Sequence, residues 1–187
     1  DQYRAQLAQT YSSAAINAVM AASQAQQKGQ DPKETLAQAD AAFVLAQQTL
    51  KETIEFVPTE YDNYVFLASL YNQWGAFVDP SYLTKAIDIA NQGIAVEPYG
   101  PAIRFQKGLA QWTKRDYEAA AATRKPTVDM DPAYTDPRDL YAQALVQTGR
   151  LAEAKKQLEA LVQLQTAKEE FKTRLKSVEA SLAAEKK

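Results

Sequence analysis

The sequence predicts an all-α fold built from antiparallel helical hairpins stacked as repeats. Ala, Gln and Leu recur throughout, whereas Gly occurs only six times in 187 residues. Those three residues lose little side-chain freedom in a helix. The β-branched residues are thinly spread and never alternate over a strand-length run, so the period of two that marks a strand is missing. Proline and glycine then cut the chain at intervals that recur.

The elements follow from that punctuation. Four Asp-Pro pairs stand at Asp31-Pro32, Asp79-Pro80, Asp131-Pro132 and Asp136-Pro137. Asp can accept from the free N–H groups of a helix start, and Pro fits the first helical position. Helices are therefore expected to begin near residues 32, 80 and 137. Pro58, Pro98 and Pro101 mark further breaks, and Gly29, Gly75 and Gly149 stand where helix ends are expected. Pro126 falls inside an otherwise helical stretch, where it should kink or end the helix. The predicted helices cover residues 2–28, 32–56, 59–74, 80–97, 101–114, 116–130, 137–148 and 151–184. Short links between them imply antiparallel neighbours.

The prolines that close each second helix reveal a period. Pro98 to Pro132 is 34 residues, and Pro58 to Pro98 is 40, which a six-residue insertion in the turn Gly75–Ser81 explains. The chain then reads as one helical-repeat domain over 1–187. Its parts are a long N-terminal hairpin (1–58), repeat two (59–98), repeat three (99–132), repeat four (133–166) and a cap extension (167–187). Repeat two places Tyr64, Leu67, Ala68 and Tyr71 on its first helix, then Ala86 and Pro98. Repeat three places Gly108, Tyr117, Ala120 and Pro132. Repeat four places Tyr141, Ala142, Leu145, Gly149, Ala154 and Leu158. Repeat one keeps Ala46 and Pro58. Small residues let paired helices approach, large ones fill the space between repeats, and proline ends each repeat. On these residues the chain resembles the tetratricopeptide-repeat (TPR) proteins over roughly residues 30–166. The resemblance implies a right-handed helical solenoid that holds a protein or peptide partner in a concave groove.

A second resemblance rests on Pro58-Thr59-Glu60-Tyr61-Asp62-Asn63-Tyr64-Val65-Phe66-Leu67-Ala68-Ser69-Leu70-Tyr71. This stretch is similar to one in the repeat domains of bacterial O-antigen ligase or polymerase-like membrane proteins. There a Pro, a polar turn with Asp and a Tyr-x-x-Leu-Ala-x-x-Tyr helix precede an insertion. It implies the soluble domain of a larger membrane protein, on the extracytoplasmic face. The alternatives are a free-standing cytoplasmic adaptor and, more remotely, a carboxylate-dependent glycan hydrolase. The start Asp1-Gln2-Tyr3-Arg4 lacks both Met and the pattern of a signal peptide, so a fragment or a processed product is expected.

Composition narrows the partners. Net charge is −2 with the two signs interleaved, which gives no basic face to track phosphates, so no nucleic acid is expected. His and Cys are both absent, which removes disulfides and zinc sites of the Cys/His type. No cofactor is expected. No apolar run approaches the ~20 residues that span a bilayer. Gly-rich phosphate loops and nucleophile elbows are missing, and the carboxylates are spread as surface charge, so catalysis is not expected. Asp129, Asp131, Asp136 and Asp139 form an acidic cluster without the Gly and Glu that a calcium loop requires. They are expected to cap helices across a repeat boundary.

In TPR proteins the first helix of each repeat lines the groove. The resemblance then carries partner binding onto Val65, Ser69 and Asn72 in repeat two, and onto Gln143, Val146 and Gln147 in repeat four. In repeat three the same register points Phe105, Leu109 and Trp112 into the groove, but it also sends Arg104, Lys107 and Gln111 toward the core. A shift of one residue would bury Phe105, Leu109 and Trp112 instead. Both registers stand at this point. Family members that grip a peptide carboxylate use several Lys, Arg and Asn residues, of which only Asn72 has a counterpart, so that activity is not expected. The stripe Leu161, Leu164, Phe171, Leu175, Val178 and Leu182 reads either as a helix capping the last repeat or as a seam for a weak dimer. Glu185-Lys186-Lys187 is expected to be a solvated end.

Overall fold

The computed structural model describes residues 2–165 and 168–185. Among them are nine helices and no strand: α1 (Gln2–Gln27), α2 (Lys33–Phe56), α3 (Tyr61–Phe77), α4 (Tyr82–Val96), α5 (Pro101–Thr113), α6 (Tyr117–Met130), α7 (Thr135–Gln147), α8 (Leu151–Leu164) and α9 (Glu169–Ala184). They group into two compact units, Asp1–Ala110 and Gln111–Lys187, so the boundary falls inside α5 and inside repeat three.

In the first unit, α1 and α2 form a long hairpin whose contact is made by Ala8, Ala15, Ala39 and Ala46, all fully buried. Absence of bulk there lets the two helices approach. Phe43 on α2 stacks on Trp74 of α3 with ring centroids 4.1 Å apart, and meets Tyr82 of α4 edge-on at 5.0 Å. One side chain thereby draws three helices together. Tyr64, Leu67, Ala68 and Tyr71 are buried on α3, as the repeat pattern requires. Those four residues also form the helical part of the likeness of residues 58–71 to the O-antigen proteins, and packing alone accounts for each.

Gly93 on α4 marks the tightest point of this unit. A Cβ built there would lie 2.8 Å from Tyr64 Cβ and 2.9 Å from Ile103 Cγ1. Gly93→Ala is therefore expected to destabilise the protein by about 1–3 kcal/mol, the usual range for overpacking. A midpoint in urea equal to that of the unaltered protein would show that α4 and α5 can move apart. Gly75, expected at a helix end, instead lies inside α3 and is packed against Leu83. Its lack of a side chain serves helix approach rather than termination.

The Asp-Pro pairs act one step upstream of their predicted role. Asp31, Asp79 and Asp131 each accept, through Oδ1, the N–H two residues on, from Lys33, Ser81 and Ala133. The local turn shapes the link and the helix begins after it, at Lys33 and Tyr82 rather than at 32 and 80. Asp136-Pro137 lies within the first turn of α7, which starts at Thr135. Gly29 and Gly149 end their helices with φ of 73°, as only glycine does without strain. Arg115 takes the same left-handed conformation after α5, one repeat period before Gly149.

The second unit shows two further departures. Pro126 neither ends nor interrupts α6, which runs through to Met130. The carbonyl deprived of its partner is that of Ala122, on the exposed face, where water can serve it. The predicted single helix 151–184 is two helices. It breaks after Leu164 and resumes at Glu169, and α9 folds back to bury Phe171 and Val178. A continuous rod would have carried both into water. The apolar stripe is thus consumed within the unit, with Leu175 and Leu182 partly buried and only Leu164 left open, so it does not supply a free dimer seam. The predicted boundary at 166–167 lies outside the described residues, as do Lys186 and Lys187; Glu185 is exposed.

Candidate functional site

The register of repeat three is unshifted. Gly108 and Gln111 are buried on the face that packs, while Phe105 is 37% exposed and Leu109 and Trp112 are half-buried. The sequence objection was the cost of turning Arg104 inward. The chain avoids that cost with a repeated device. Tyr64 Oη donates to the carbonyl of Pro58 at 2.8 Å, Arg104 Nη2 to that of Pro98 at 2.6 Å, and Arg138 Nη2 to that of Pro132 at 2.7 Å. The fourth residue of each first helix thus satisfies the proline that closed the repeat before it. An arginine does this as well as a tyrosine, because its stem packs while its head reaches a backbone acceptor.

In the first unit, Val65 and Ser69 are half-buried on α3. Asn72 is 3% exposed, and its Nδ2 donates to both the backbone and the side-chain oxygen of Gln106 at 2.9 Å. It is a strut between α3 and α5 rather than an open contact. A short polar side chain opposite the backbone of the next first helix finds a better partner there than in solvent. Tyr61 adds a second strut: its hydroxyl accepts the N–H of Ile103 at 2.9 Å, in the first turn of α5. Burial pushes the Tyr61 hydroxyl up, so it stays protonated.

In the second unit the structure brings four predicted residues together. Trp112, Gln143, Val146 and Gln147 line one cavity of about 230 Å³, with Ala142 and Leu158 below and Arg174, Ser177 and Val178 on its far side. Helix α9 supplies that far side. Sequence reasoning missed its part because the break at 165–168 has neither Pro nor Gly to announce it. Arg174 is bound to Asp139 and Glu170, so the cavity carries no uncompensated charge. Its walls are apolar at Trp112, Val146, Leu158 and Val178, with amides at Gln143 and Gln147. Such a cavity takes an apolar side chain and hydrogen-bonds the backbone that carries it. The volume falls below the ~300–1,000 Å³ of ordinary small-molecule sites and suits one or two side chains.

The acidic cluster is dispersed. Asp129 pairs with Lys125, Asp139 with Arg174, and Asp131 closes its own turn. None of these three caps a helix as expected: Asp131 closes a turn ahead of α7, and Asp129 and Asp139 find cations one helical turn away or on α9, while Asp136 lies in the first turn of α7. Among the described residues no group of three His, Cys, Asp or Glu side chains could hold a metal, and no helix is long and apolar enough to cross a membrane.

Among the described residues, one buried cation has no hydrogen bond. Arg124 of α6 is 2% exposed, and Nε, Nη1 and Nη2 all lack a hydrogen bond. Its guanidinium carbon lies 5.8 Å from the centroid of the Trp112 ring. Burial pushes its pKa down to about 10.

Solved structures of TPR proteins share this fold. A thermophilic TPR protein of Thermus thermophilus is 19% identical, over 95% of this chain and 97% of its own, with a TM-score of 0.60. MamA (residue 41 to the end) from Desulfovibrio magneticus RS-1 is 12% identical, over 91% of this chain and 86% of its own, with a TM-score of 0.63. The first TPR of Spaghetti (RPAP3), bound to the HSP90 peptide SRMEEVD, is 22% identical, over 62% of this chain and 95% of its own, with a TM-score of 0.51. No protein-family model and no curated protein matches the sequence. At these identities the likeness establishes the fold: a TPR-like array of helical repeats.

Proposed function

We propose that the chain is a non-catalytic interaction module that binds an extended protein segment, with the cavity of the second unit as its anchor point. The observation that carries this reading is the convergence of Trp112, Gln143, Val146 and Gln147, drawn from two first helices, on one small apolar cavity edged by amides. Aromatic anchors in such pockets provide much of the affinity at protein interfaces. The face formed by Val65, Ser69, Phe105 and Leu109 in the first unit is the candidate for additional contacts. The RPAP3 domain, of like fold, holds a peptide. Without His or Cys, and with no cluster of carboxylates gathered in the cavity, this chain is read as a binder and not as an enzyme.

The test is selection of binding peptides from a displayed library, followed by titration against Val146→Glu. Val146 is 37% exposed, so the substitution leaves folding intact while placing a charge at the cavity mouth. Binding is expected to fall at least about tenfold, with the melting temperature unchanged. Selected peptides whose affinity ignores Val146→Glu and Gln143→Ala would sink the assignment.

Attachment to an O-antigen ligase-like membrane protein, outside the cytoplasm, rests on residues 58–71 alone. A free-standing adaptor is the alternative. An immunoblot of fractionated cells separates them: a band much heavier than 20.7 kDa in the membrane fraction favours attachment, and a free band near 20.7 kDa removes it.

A further inference from the structure

Repeat three breaks the apolar repeat pattern with several polar residues, and three of them lie in the second unit. The position filled by Tyr71 in repeat two and Leu145 in repeat four holds Gln111 in repeat three. That of Ala90 and Leu158 holds Arg124, and that of Gly93 and Leu161 holds Thr127. All three substituted residues lie in the second unit and are buried. Each leaves polar atoms without a partner: Gln111 Oε1, the whole Arg124 guanidinium and Thr127 Oγ1. A buried polar group without a hydrogen bond is rare in a folded protein, and a buried cation without a counter-ion is rarer. Departures from local rules of this kind concentrate where a protein functions.

Trp112 connects this cluster to the cavity. Its indole lines the cavity, and the Arg124 guanidinium lies against the same ring. Thr127 follows Arg124 by one turn on the buried face of α6, and Gln111 adjoins Trp112 in sequence. Gln111 Oε1 is itself an acceptor, so what Arg124 and Thr127 lack is an acceptor that carries negative charge. A carboxylate fits a guanidinium with two parallel hydrogen bonds, and Thr127 can donate a third.

We propose that Arg124 and Thr127 form a recessed carboxylate site, engaged by an Asp or Glu side chain of the segment that docks in the adjoining cavity, with Trp112 as its cover. The proposal deepens the binding reading above and rests on it. The docked segment then presents an apolar residue to the cavity and an acidic one beside it. Trp112 turns aside to admit the carboxylate, and its ring remains in contact with the bound peptide.

The test uses the full chain and three probes: acetyl-Leu-Glu-Leu-amide, acetyl-Leu-Gln-Leu-amide and sodium acetate. The chain has two tryptophans, so NMR separates the Trp112 indole N–H from that of Trp74, and the Arg124 Nε–H is followed alongside. The Glu peptide is expected to bind about tenfold more tightly than the Gln peptide and to shift both signals. In Arg124→Met the two peptides should bind alike, at the affinity of the Gln peptide for the unaltered protein. Equal binding of both peptides by the unaltered protein would overturn the carboxylate site and leave the cavity reading standing. A Glu preference that survives in Arg124→Met would remove Arg124 from the site. If acetate shifts Arg124 while neither peptide binds, the source is a free small carboxylate and the peptide assignment fails. If no probe acts, the carboxylate site falls, and the cavity reading is decided by the library selection alone.

Discussion

Replacing Arg124 with methionine is expected to raise stability by about 3 kcal/mol at neutral pH, within the ~1–4 kcal/mol commonly gained when buried ionic groups give way to apolar ones of similar size. The side chain is 2% exposed and its guanidinium has neither a hydrogen bond nor a counter-ion, so the desolvation of a cation is offset only by the Trp112 ring 5.8 Å away. Burial lowers its pKa well below the ordinary arginine value, to about 10, and every tenfold loss of proton affinity corresponds to about 1.4 kcal/mol. Methionine keeps the length of the stem and removes the charge. The sign of the pH dependence follows from linkage. Below about pH 10 the group is charged in both the folded and the unfolded chain, so the destabilisation is present in full. Between there and its unfolded value the unfolded chain holds more protons, and stability rises with pH. The gap between Arg124→Met and the unaltered protein should therefore be constant from about pH 6 to about pH 9 and narrow above about pH 10. Urea unfolding of both proteins at three pH values measures it. A variant less stable than its parent would show that Arg124 already has a counter-charge.

Phe43→Ala is expected to cost about 3–5 kcal/mol, the range for deleting a buried aromatic ring. Phe43 is 1% exposed and touches the rings of Trp74, Tyr71 and Tyr82. Its loss leaves a cavity that α2, α3 and α4 cannot close together, because Trp74 and Tyr82 approach it from two different helices. Phe43→Leu should cost clearly less, since a large apolar side chain still fills the space. Calorimetry of the two variants decides. Near-equal losses would show that ring stacking, rather than occupied volume, supports the site.

The helices and their pairing were legible because proline, glycine and the small–large pattern are local signals. Pro98 and Pro132 fixed the period, and Tyr64, Leu67, Ala68 and Tyr71 fixed the packed face of α3. The break between α8 and α9 was not legible. The driving force there is burial of Phe171 and Val178 against α8, a tertiary gain that outweighs uninterrupted helix hydrogen bonding. Helix propensity is too weak a signal to report such a choice. Repeat three was ambiguous for a related reason. Hydrophobicity treats Arg104 as wholly polar, whereas the folded chain uses its stem and head separately. Of the candidate residues, Gln143, Val146 and Gln147 met in one cavity because three- and four-residue spacing on one helix survives folding. Asn72 did not remain open, since spacing cannot tell that the carbonyl of Gln106 stands opposite it.

The struts from Tyr61 to Ile103 and from Asn72 to Gln106 also act as a ruler. Apolar helix faces can slide past one another by a turn, about 5.4 Å, and find nearly equivalent packing. These two struts, placed near the start and the middle of α5, forbid that slip, since both would break at once. The distance from Val65 and Ser69 to Phe105 and Leu109 is thereby held to one value. A ligand meeting that face encounters its contacts at a set interval, like notches on a gauge.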